Sequence, residues 1–210
     1  MAPTTTIRSA LLLLGPTGAG KTPLGDMIAR RGLWGHGWAH FDFGDQMRQI
    51  VADGRPNGQI TQADVGFLRQ VLQSGALLED EQFPLAGRIL QSFLDRSGPA
   101  ADAWVVLNGL PRHVGQAEAM ESLVQVRAVA ELACTAEVVA ARIQGNIGGD
   151  RTGRSDDAAA AVRRKLEIYR ARTESLVDYY RRRLVPILRV EVTAEMTPQQ
   201  MLERLAATPV

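Results

Sequence analysis

Short apolar segments alternate with stretches of helical periodicity along most of the chain. Five of these segments predict strands, at residues 7–14, 39–43, 104–107, 126–132 and 187–192. Leucines fill positions 11–14 without alternation, which is typical of a strand buried on both faces of a sheet. Because strands and helices alternate, we expect an α/β fold with one parallel five-stranded sheet, right-handed crossovers and flanking helices.

Apolar residues at helical spacing predict the helices between these strands. The predicted helices cover about 21–31, 44–53, 61–74, 80–96, 118–123, 135–144 and 156–183, and a closing helix follows its N-cap Thr197. Residues 44–97 then form a mostly helical insertion between the second and third strands, which we expect to move as a flap over a site. Residues 145–153 are polar and rich in glycine, which predicts a loop.

Length, charge and cysteine content favour a single soluble domain. The 210 residues suffice for one α/β domain with a sizeable core. The net charge of +1 argues against a nucleic-acid or membrane surface. The single cysteine, Cys134, excludes an internal disulfide and fits a reducing compartment. No segment approaches the roughly 20 apolar residues of a membrane helix. We therefore expect a cytoplasmic monomer that binds neither nucleic acid nor membrane.

The segment between the first strand and the first helix, residues 15–22 (GPTGAGKT), matches G-x-x-x-x-G-K-[ST] at every fixed position. Between a strand and a helix, the backbone N–H groups of such a loop converge on phosphate oxygens. Lys21 can then reach the terminal phosphates, and the Thr22 hydroxyl can hold Mg²⁺. The residues expected to bind the nucleotide phosphates are Gly15, Gly18, Ala19, Gly20, Lys21 and Thr22.

Polar residues follow two further strands at the same edge of the predicted sheet. Ligands of open parallel sheets collect at the carboxyl ends of the strands. Asp42 and Phe43 end the second predicted strand, and Asn108 and Gly109 follow the third. These residues should therefore lie beside the phosphate loop, although this argument alone does not identify a second substrate.

Three further motifs resemble those of the nucleoside monophosphate kinases, and of adenylate kinase most of all. Residues 43–48 (FGDQMR) resemble the family's T-G-D-x-x-R. Residues 108–112 (NGLPR), followed by Gln116, resemble D-G-F-P-R…Q. Residues 153–157 (GRSDD) resemble G-R-x-D-D after a short connection, as in the family members with a short lid. The likeness extends over nearly the whole chain.

The resemblance implies a P-loop NTPase-type fold and reversible transfer of the ATP γ-phosphate to a nucleoside monophosphate, AMP first, with Mg²⁺. It implies a single kinase domain (1–210), with a core (1–43, 98–145 and 156–210), a monophosphate-binding insertion (44–97) and a lid (146–155). The implied catalytic residues are Lys21, Arg48, Arg112, Arg151, Arg154 and Lys165. The implied acceptor-binding residues are Phe43, Arg48, Leu78, Gly109, Arg112, Gln116, Asp156 and Asp157. Arg142 would lie against the donor adenine.

The chemistry explains why such a site needs so many cations. The acceptor is a phosphate monoester that is already mostly dianionic near neutrality, so no strong base is required. Two unit charges about 4 Å apart repel by about 4 kcal/mol at an effective dielectric constant near 20. The site must therefore neutralise both phosphates, align them and exclude water.

Several positions depart from the family pattern. Asn108 replaces the aspartate that usually orients the hydrated Mg²⁺, and Asp42 on the neighbouring strand could supply the missing charge. The candidate metal-site residues are therefore Thr22, Asn108 and Asp42. Phe43 replaces a threonine that contacts the acceptor nucleotide.

Two departures concern the lid and its base. Lys165 stands where arginine is usual, and Asn146 takes the position of an expected lid arginine. Arg151 lies close enough in the loop to substitute for it. Together, the departures leave open two alternatives: an ATP-dependent kinase of another small acceptor, and a nucleotide-binding protein that has lost efficient transfer.

Overall fold

The centre of the fold is a sheet of five parallel strands in the order β2-β3-β1-β4-β5. The fold is known from a computed structural model that describes residues 7–56, 59–76, 78, 80–97, 103–150 and 159–210. The strands are β1 (Arg8–Leu14), β2 (Trp38–Asp42), β3 (Trp104–Asn108), β4 (Val124–Ala133) and β5 (Ile187–Glu191). The predicted parallel five-stranded α/β fold is confirmed.

Nine α-helices connect and cover the strands in the described part of the chain. They are α1 (Lys21–Arg31), α2 (Phe43–Asp53), α3 (Gln62–Ser74), α4 (Phe83–Arg96), α5 (Val114–Ala119), α6 (Ala136–Gly145), α7 (Ala159–Ile168), α8 (Ser175–Arg182) and α9 (Pro198–Ala206). Short 3₁₀ turns precede α4 (Asp80–Gln82) and follow α5 (Met120–Ser122). The helix expected at residues 118–123 therefore begins earlier than predicted and ends as a 3₁₀ turn.

Strand β1 lies in the middle of the sheet, paired with β3 on one side and β4 on the other. Its side chains alternate between two hydrophobic clusters. Leu12 belongs to the cluster under α2–α4 and α8, and Leu11 belongs to the one under α1 and α9. Both leucines are fully buried, which confirms the expected strand with two covered faces.

The long helix predicted over residues 156–183 is interrupted within its described part, residues 159–183. A π-helical turn, Tyr169–Thr173, separates α7 from α8. The Glu174 N–H donates to the Tyr169 carbonyl five residues earlier, at 3.0 Å. The wider turn places Tyr169 and Thr173 beside the cleft described below. Even spacing of apolar residues does not reveal such an interruption.

Side-chain caps fix several helix starts at the positions that the sequence indicates. The Thr61 hydroxyl oxygen accepts a hydrogen bond from the Asp64 N–H, and the Asp64 carboxylate accepts one from the Thr61 N–H. Thr197 and Gln200 form the same reciprocal pair before α9. Each such cap stabilises a helix by about 1 kcal/mol.

All three tryptophans of the chain lie together at the amino ends of β2 and β3. The ring centroids of Trp38 and Trp104 are 5.2 Å apart, and Trp34 lies 5.9 Å from Trp38. The Trp34 indole N–H donates to the Leu205 carbonyl at 3.1 Å, which connects the cluster to α9. None of the helices described in the structure is both long and apolar enough to span a membrane.

Candidate active site

The phosphate loop connects β1 to α1 and depends on its glycines. Gly18 and Gly20 have φ values of 81° and 97°, which side chains rarely adopt. A Cβ on Gly20 would lie 3.0 Å from Nη2 of Arg142, and one on Gly18 would lie 3.0 Å from Cγ1 of Ile143. The loop therefore rests directly on α6, and larger residues at these two positions would displace it.

Arg142 supports the loop from behind. The side chain is only 3% exposed. Its Nε donates to the Gly18 carbonyl at 3.2 Å, and its Nη1 donates to the carbonyls of Thr193 at 2.9 Å and Met196 at 2.7 Å. Burial lowers the pKa of Arg142. The guanidinium thus joins the phosphate loop to the connection after β5, and its contact with the donor adenine stays a prediction.

Lys21 and Thr22 are the first residues of α1. The Lys21 ammonium group donates to the carbonyls of Gly15 and Pro16, both at 2.7 Å, so the charge lies over the mouth of the loop. The Thr22 hydroxyl donates to Oδ2 of Asp42 at 2.6 Å. The lysine and the hydroxyl are therefore on the side of the loop that faces β2 and β3.

The three predicted metal-site residues contact one another. The Asn108 amide donates to Thr22 Oγ1 at 3.0 Å and to Asp42 Oδ2 at 2.7 Å. Asp42 and Asn108 are register partners at the ends of β2 and β3, which explains their contact. No group of three or more His, Cys, Asp or Glu side chains that could hold a metal ion occurs within the described ranges. A hydroxyl, a carboxylate and an amide do fit hydrated Mg²⁺ that is held chiefly by nucleotide phosphates.

Two arginines reach the same cleft from the other side. Arg112 Nε donates to the Gly109 carbonyl at 2.9 Å. Burial lowers the pKa of Arg112, and the Asp42 carboxylate opposes that shift. Arg48, on α2, has a side chain that is 46% exposed and an ion pair of 3.4 Å with Asp45. Both guanidinium groups are therefore placed to contact a phosphate in the cleft.

The wall beside these arginines is apolar. Phe43 is 4% exposed, and a Cβ on Gly109 would lie 3.5 Å from the Phe43 Cβ. Phe43 thus packs against Gly109 at the point where the family pattern has a threonine. Gln116 is buried as well: its Oε1 accepts from the Arg112 N–H at 2.8 Å, and its Nε2 donates to the Leu78 carbonyl at 2.9 Å. Counting bonds to the described residues, one hydrogen and one lone pair of this amide could contact a ligand.

One cleft at the carboxyl edge of the sheet collects most of the predicted site residues. Those that line it are Gly15, Gly18, Gly20, Lys21, Thr22, Asp42, Phe43, Arg48, Leu78, Asn108, Gly109, Arg112, Gln116 and Lys165. Ala19 and Arg142 do not line it: Ala19 is fully buried, and Arg142 lies behind the loop. Arg151, Arg154, Asp156 and Asp157 lie outside the described residues.

Asn146 has a structural explanation. It ends α6 with φ 45°, a left-handed conformation in which asparagine is favoured over arginine.

Sequence reasoning missed several lining residues, among them Met47 and Tyr169. The spacing of four between Phe43 and Met47, which puts both on one face of α2, could have indicated Met47.

Comparisons with known proteins agree with this geometry. A family model described as adenylate kinase matches residues 13–185. An adenylate kinase of Synechococcus sp. (strain WH7803) is 31% identical over 96% of this chain and 99% of its own length. One from Parasynechococcus marenigrum (strain WH8102) is 33% identical over 95% of this chain and 97% of its own length. One from Thermus thermophilus is 31% identical over 96% of this chain and 97% of its own length.

Proposed function

The chain belongs to the adenylate kinase family and is an ATP-dependent phosphotransferase, and we propose that it transfers the ATP γ-phosphoryl group reversibly to AMP. The observation that carries the proposal is the meeting of four cationic side chains in one cleft. The cleft is lined by Lys21 at the start of α1, Arg48 on α2, Arg112 after β3, and Lys165 on α7. Two highly charged phosphates can approach each other only where such charges surround them.

The donor half of the cleft would bind ATP. The loop N–H groups and Lys21 hold the β- and γ-phosphates, because they line the same mouth of the cleft. Thr22, Asp42 and Asn108 would hold Mg²⁺, which when bound neutralises phosphate charge. Arg142 would contact the adenine with whatever part of its surface the loop leaves accessible.

The acceptor half would bind AMP. Arg48 and Arg112 clamp its phosphate with paired N–H groups, which suit two oxygens of one phosphate. Gln116, Leu78, Phe43 and Gly109 surround the base. An acceptor phosphate oxygen then attacks the γ-phosphorus, the bond to the β–γ bridging oxygen breaks, and ADP leaves with that electron pair. A second ADP is the other product.

We assign the remaining roles on the family pattern. Arg154 and Arg151 would reach the transferring phosphoryl group from a lid at residues 146–155, and Asp156 and Asp157 would orient them. The insertion at residues 44–97 would close over AMP. We propose that the protein works as a monomer in the cytoplasm, where its single cysteine would stay reduced.

A coupled assay tests the acceptor. Purified protein with Mg-ATP is offered AMP, dAMP, CMP, UMP and GMP in turn. We expect turnover with AMP to exceed that with every pyrimidine nucleotide, because Gln116 keeps one donor and one acceptor position beside an apolar wall. ATP binding without turnover of any monophosphate would overturn the proposal. Turnover of a sugar or hydroxy acid instead would point to a kinase of another small acceptor.

A further inference from the structure

The Asp42 carboxylate contacts three separate elements. Its Oδ2 accepts from the Thr22 hydroxyl on α1 and from the Asn108 amide on β3. Its Oδ1 accepts from the Asp45 N–H at 3.0 Å, which makes Asp42 the N-cap of α2. One side chain therefore connects the phosphate-loop helix, the neighbouring strand and the helix that carries Arg48.

Asn108 makes an ionised carboxylate at position 42 tolerable. The Asn108 amide nitrogen lies within hydrogen-bond distance of both Thr22 Oγ1 and Asp42 Oδ2. An aspartate at 108 would place a second negative charge where the amide nitrogen now lies, 2.7 Å from Asp42 Oδ2. Like charges directly opposite each other on neighbouring strands are destabilising. The structure therefore accommodates one carboxylate at this place, and it belongs to β2.

Asp42 is the side-chain cap of the first turn of α2. Asp42 is extended at φ −100° and ψ 105°, and the helix begins at Phe43. A Cβ on Gly44 would lie 3.4 Å from both Arg48 Nη1 and Asp42 Oδ1. The guanidinium of Arg48 thus lies over the turn that Asp42 caps. If the Asp42 carboxylate changes its orientation, the first turn of α2 can shift, and the position of Arg48 shifts with it.

We propose that Asp42, and not the residue at 108, is the carboxylate that orients the hydrated Mg²⁺ of the donor nucleotide, and that it couples this metal to the acceptor through the cap of α2. The inference rests on the proposed function. Metal held at Oδ2 fixes the carboxylate, and the same carboxylate fixes the turn beneath Arg48. The metal should then tighten AMP binding, and AMP should tighten metal binding by the same factor.

Asp42→Asn tests the metal assignment, because asparagine caps a helix as well as aspartate does and removes only the charge. Mn²⁺ affinity is measured by electron paramagnetic resonance with the protein saturated by adenylyl imidodiphosphate, a non-hydrolysable ATP analogue. We expect D42N to weaken Mn²⁺ binding by about tenfold or more. The control is Asp95→Asn, which removes an exposed carboxylate of α4 that bonds Gln91. Wild-type Mn²⁺ affinity in D42N would overturn the assignment.

The exchange variant D42N/N108D tests the coupling. It moves the carboxylate to β3, within reach of Thr22, and leaves an uncharged cap on α2. We expect this variant to regain Mn²⁺ affinity to within a few-fold of wild type. Calorimetry then measures AMP binding to the analogue complex with and without Mg²⁺. In the wild type we expect Mg²⁺ to tighten AMP binding by about fivefold or more, and in D42N/N108D to have almost no effect.

The outcomes separate this inference from the proposed function. AMP binding to the wild type with the same affinity in the presence and absence of Mg²⁺ would overturn the coupling. Undiminished coupling in D42N/N108D would show that the cap does not carry it. If AMP fails to bind the wild type at all, the acceptor assignment falls, while the Mn²⁺ affinity of D42N still decides which strand holds the metal. Thermal unfolding by circular dichroism checks that each variant is folded.

Discussion

The donor and acceptor halves of the cleft are held in place by different means. The phosphate loop rests on Arg142, whose buried guanidinium bonds carbonyls on two other segments. Arg48, on the acceptor side, is half-exposed and forms a 3.4 Å ion pair within its own helix. A buried network resists distortion, whereas an exposed ion pair contributes at most about 1 kcal/mol. The donor half is therefore arranged before substrate arrives.

This difference teaches where selectivity can be changed. Loss of Arg142 should affect the core, because its hydrogen bonds join the loop, α6 and the connection after β5. On the acceptor side, Arg112 and Gln116 are held by hydrogen bonds, whereas Arg48 is half-exposed. Substitution of Arg48 should therefore alter substrate affinity without unfolding the protein. Four experiments test this contrast.

Lys21→Ala should have the largest effect. The ammonium group faces the mouth of the loop, so its loss removes the charge that stabilises the transferring phosphates. We expect kcat to fall by about 10³-fold or more, with little change in thermal stability. A coupled assay and a melting curve measure the two quantities. Arg30→Ala is the matched control, since it removes an exposed cation from the same helix. A fall of less than tenfold in K21A would contradict the donor assignment.

Arg142→Ala should destabilise the fold, because it removes the donor that bonds the carbonyls of Gly18, Thr193, Ala194 and Met196. We expect the free energy of unfolding in urea to fall by about 3 kcal/mol. Arg142→Lys keeps the charge but loses the planar fork, so it should recover only part of that loss. A surface residue is expected to change the free energy of unfolding by about 0.5 kcal/mol. A smaller change in R142A would show that Arg142 does not stabilise the phosphate loop.

Arg48→Ala, in contrast to Arg142→Ala, should weaken AMP binding and leave the stability of the fold almost unchanged. Its ion pair is exposed, so we expect the free energy of unfolding to change by no more than about 0.5 kcal/mol. The KM for AMP should rise by about tenfold or more, because a charge-assisted phosphate contact is lost. Steady-state kinetics with varied AMP and a urea titration give both numbers. Arg69→Ala, an exposed cation of α3, is the control. A large loss of stability with unchanged KM would reverse the comparison.

Asp26→Asn should have the smallest effect. The hydrogen bond from His40 Nδ1, at 2.8 Å, lowers the pKa of Asp26 below 3.8, although partial burial opposes the shift. The bond joins α1 to β2, and its contribution is present at pH values above 3.8 and lost as the pH falls through the lowered pKa. We expect D26N to lower the unfolding free energy at pH 7 by at most about 1 kcal/mol and to match wild type near pH 2. Asp53→Asn, which removes another exposed carboxylate, is the control.

The sequence predicted the sheet and the phosphate loop because both depend on local patterns. Unbroken leucines indicate a buried strand, and glycines at fixed spacing indicate a loop that approaches phosphate. The caps at Thr61 and Thr197 were also predictable, because capping is decided within four residues.

Other features depend on contacts between distant residues. The buried position of Arg142 results from carbonyls about fifty residues later in the chain, and one sequence cannot show that approach. The π-helical turn at Tyr169–Thr173 is equally hidden, because the apolar periodicity continues across it. The contact of Asp42 with Asn108 follows from strand order, which sequence spacing alone did not fix.

The fluorescence of the tryptophan cluster should report the unfolding of the protein and not the binding of nucleotides. Trp34, Trp38 and Trp104 lie at the amino edge of the sheet, whereas the cleft lies at the carboxyl edge. Their emission should therefore change when the core unfolds and stay constant when nucleotides bind. Each fluorescence melt of a variant then measures folding alone, and a loss of catalysis with an unchanged melt can be assigned to the cleft.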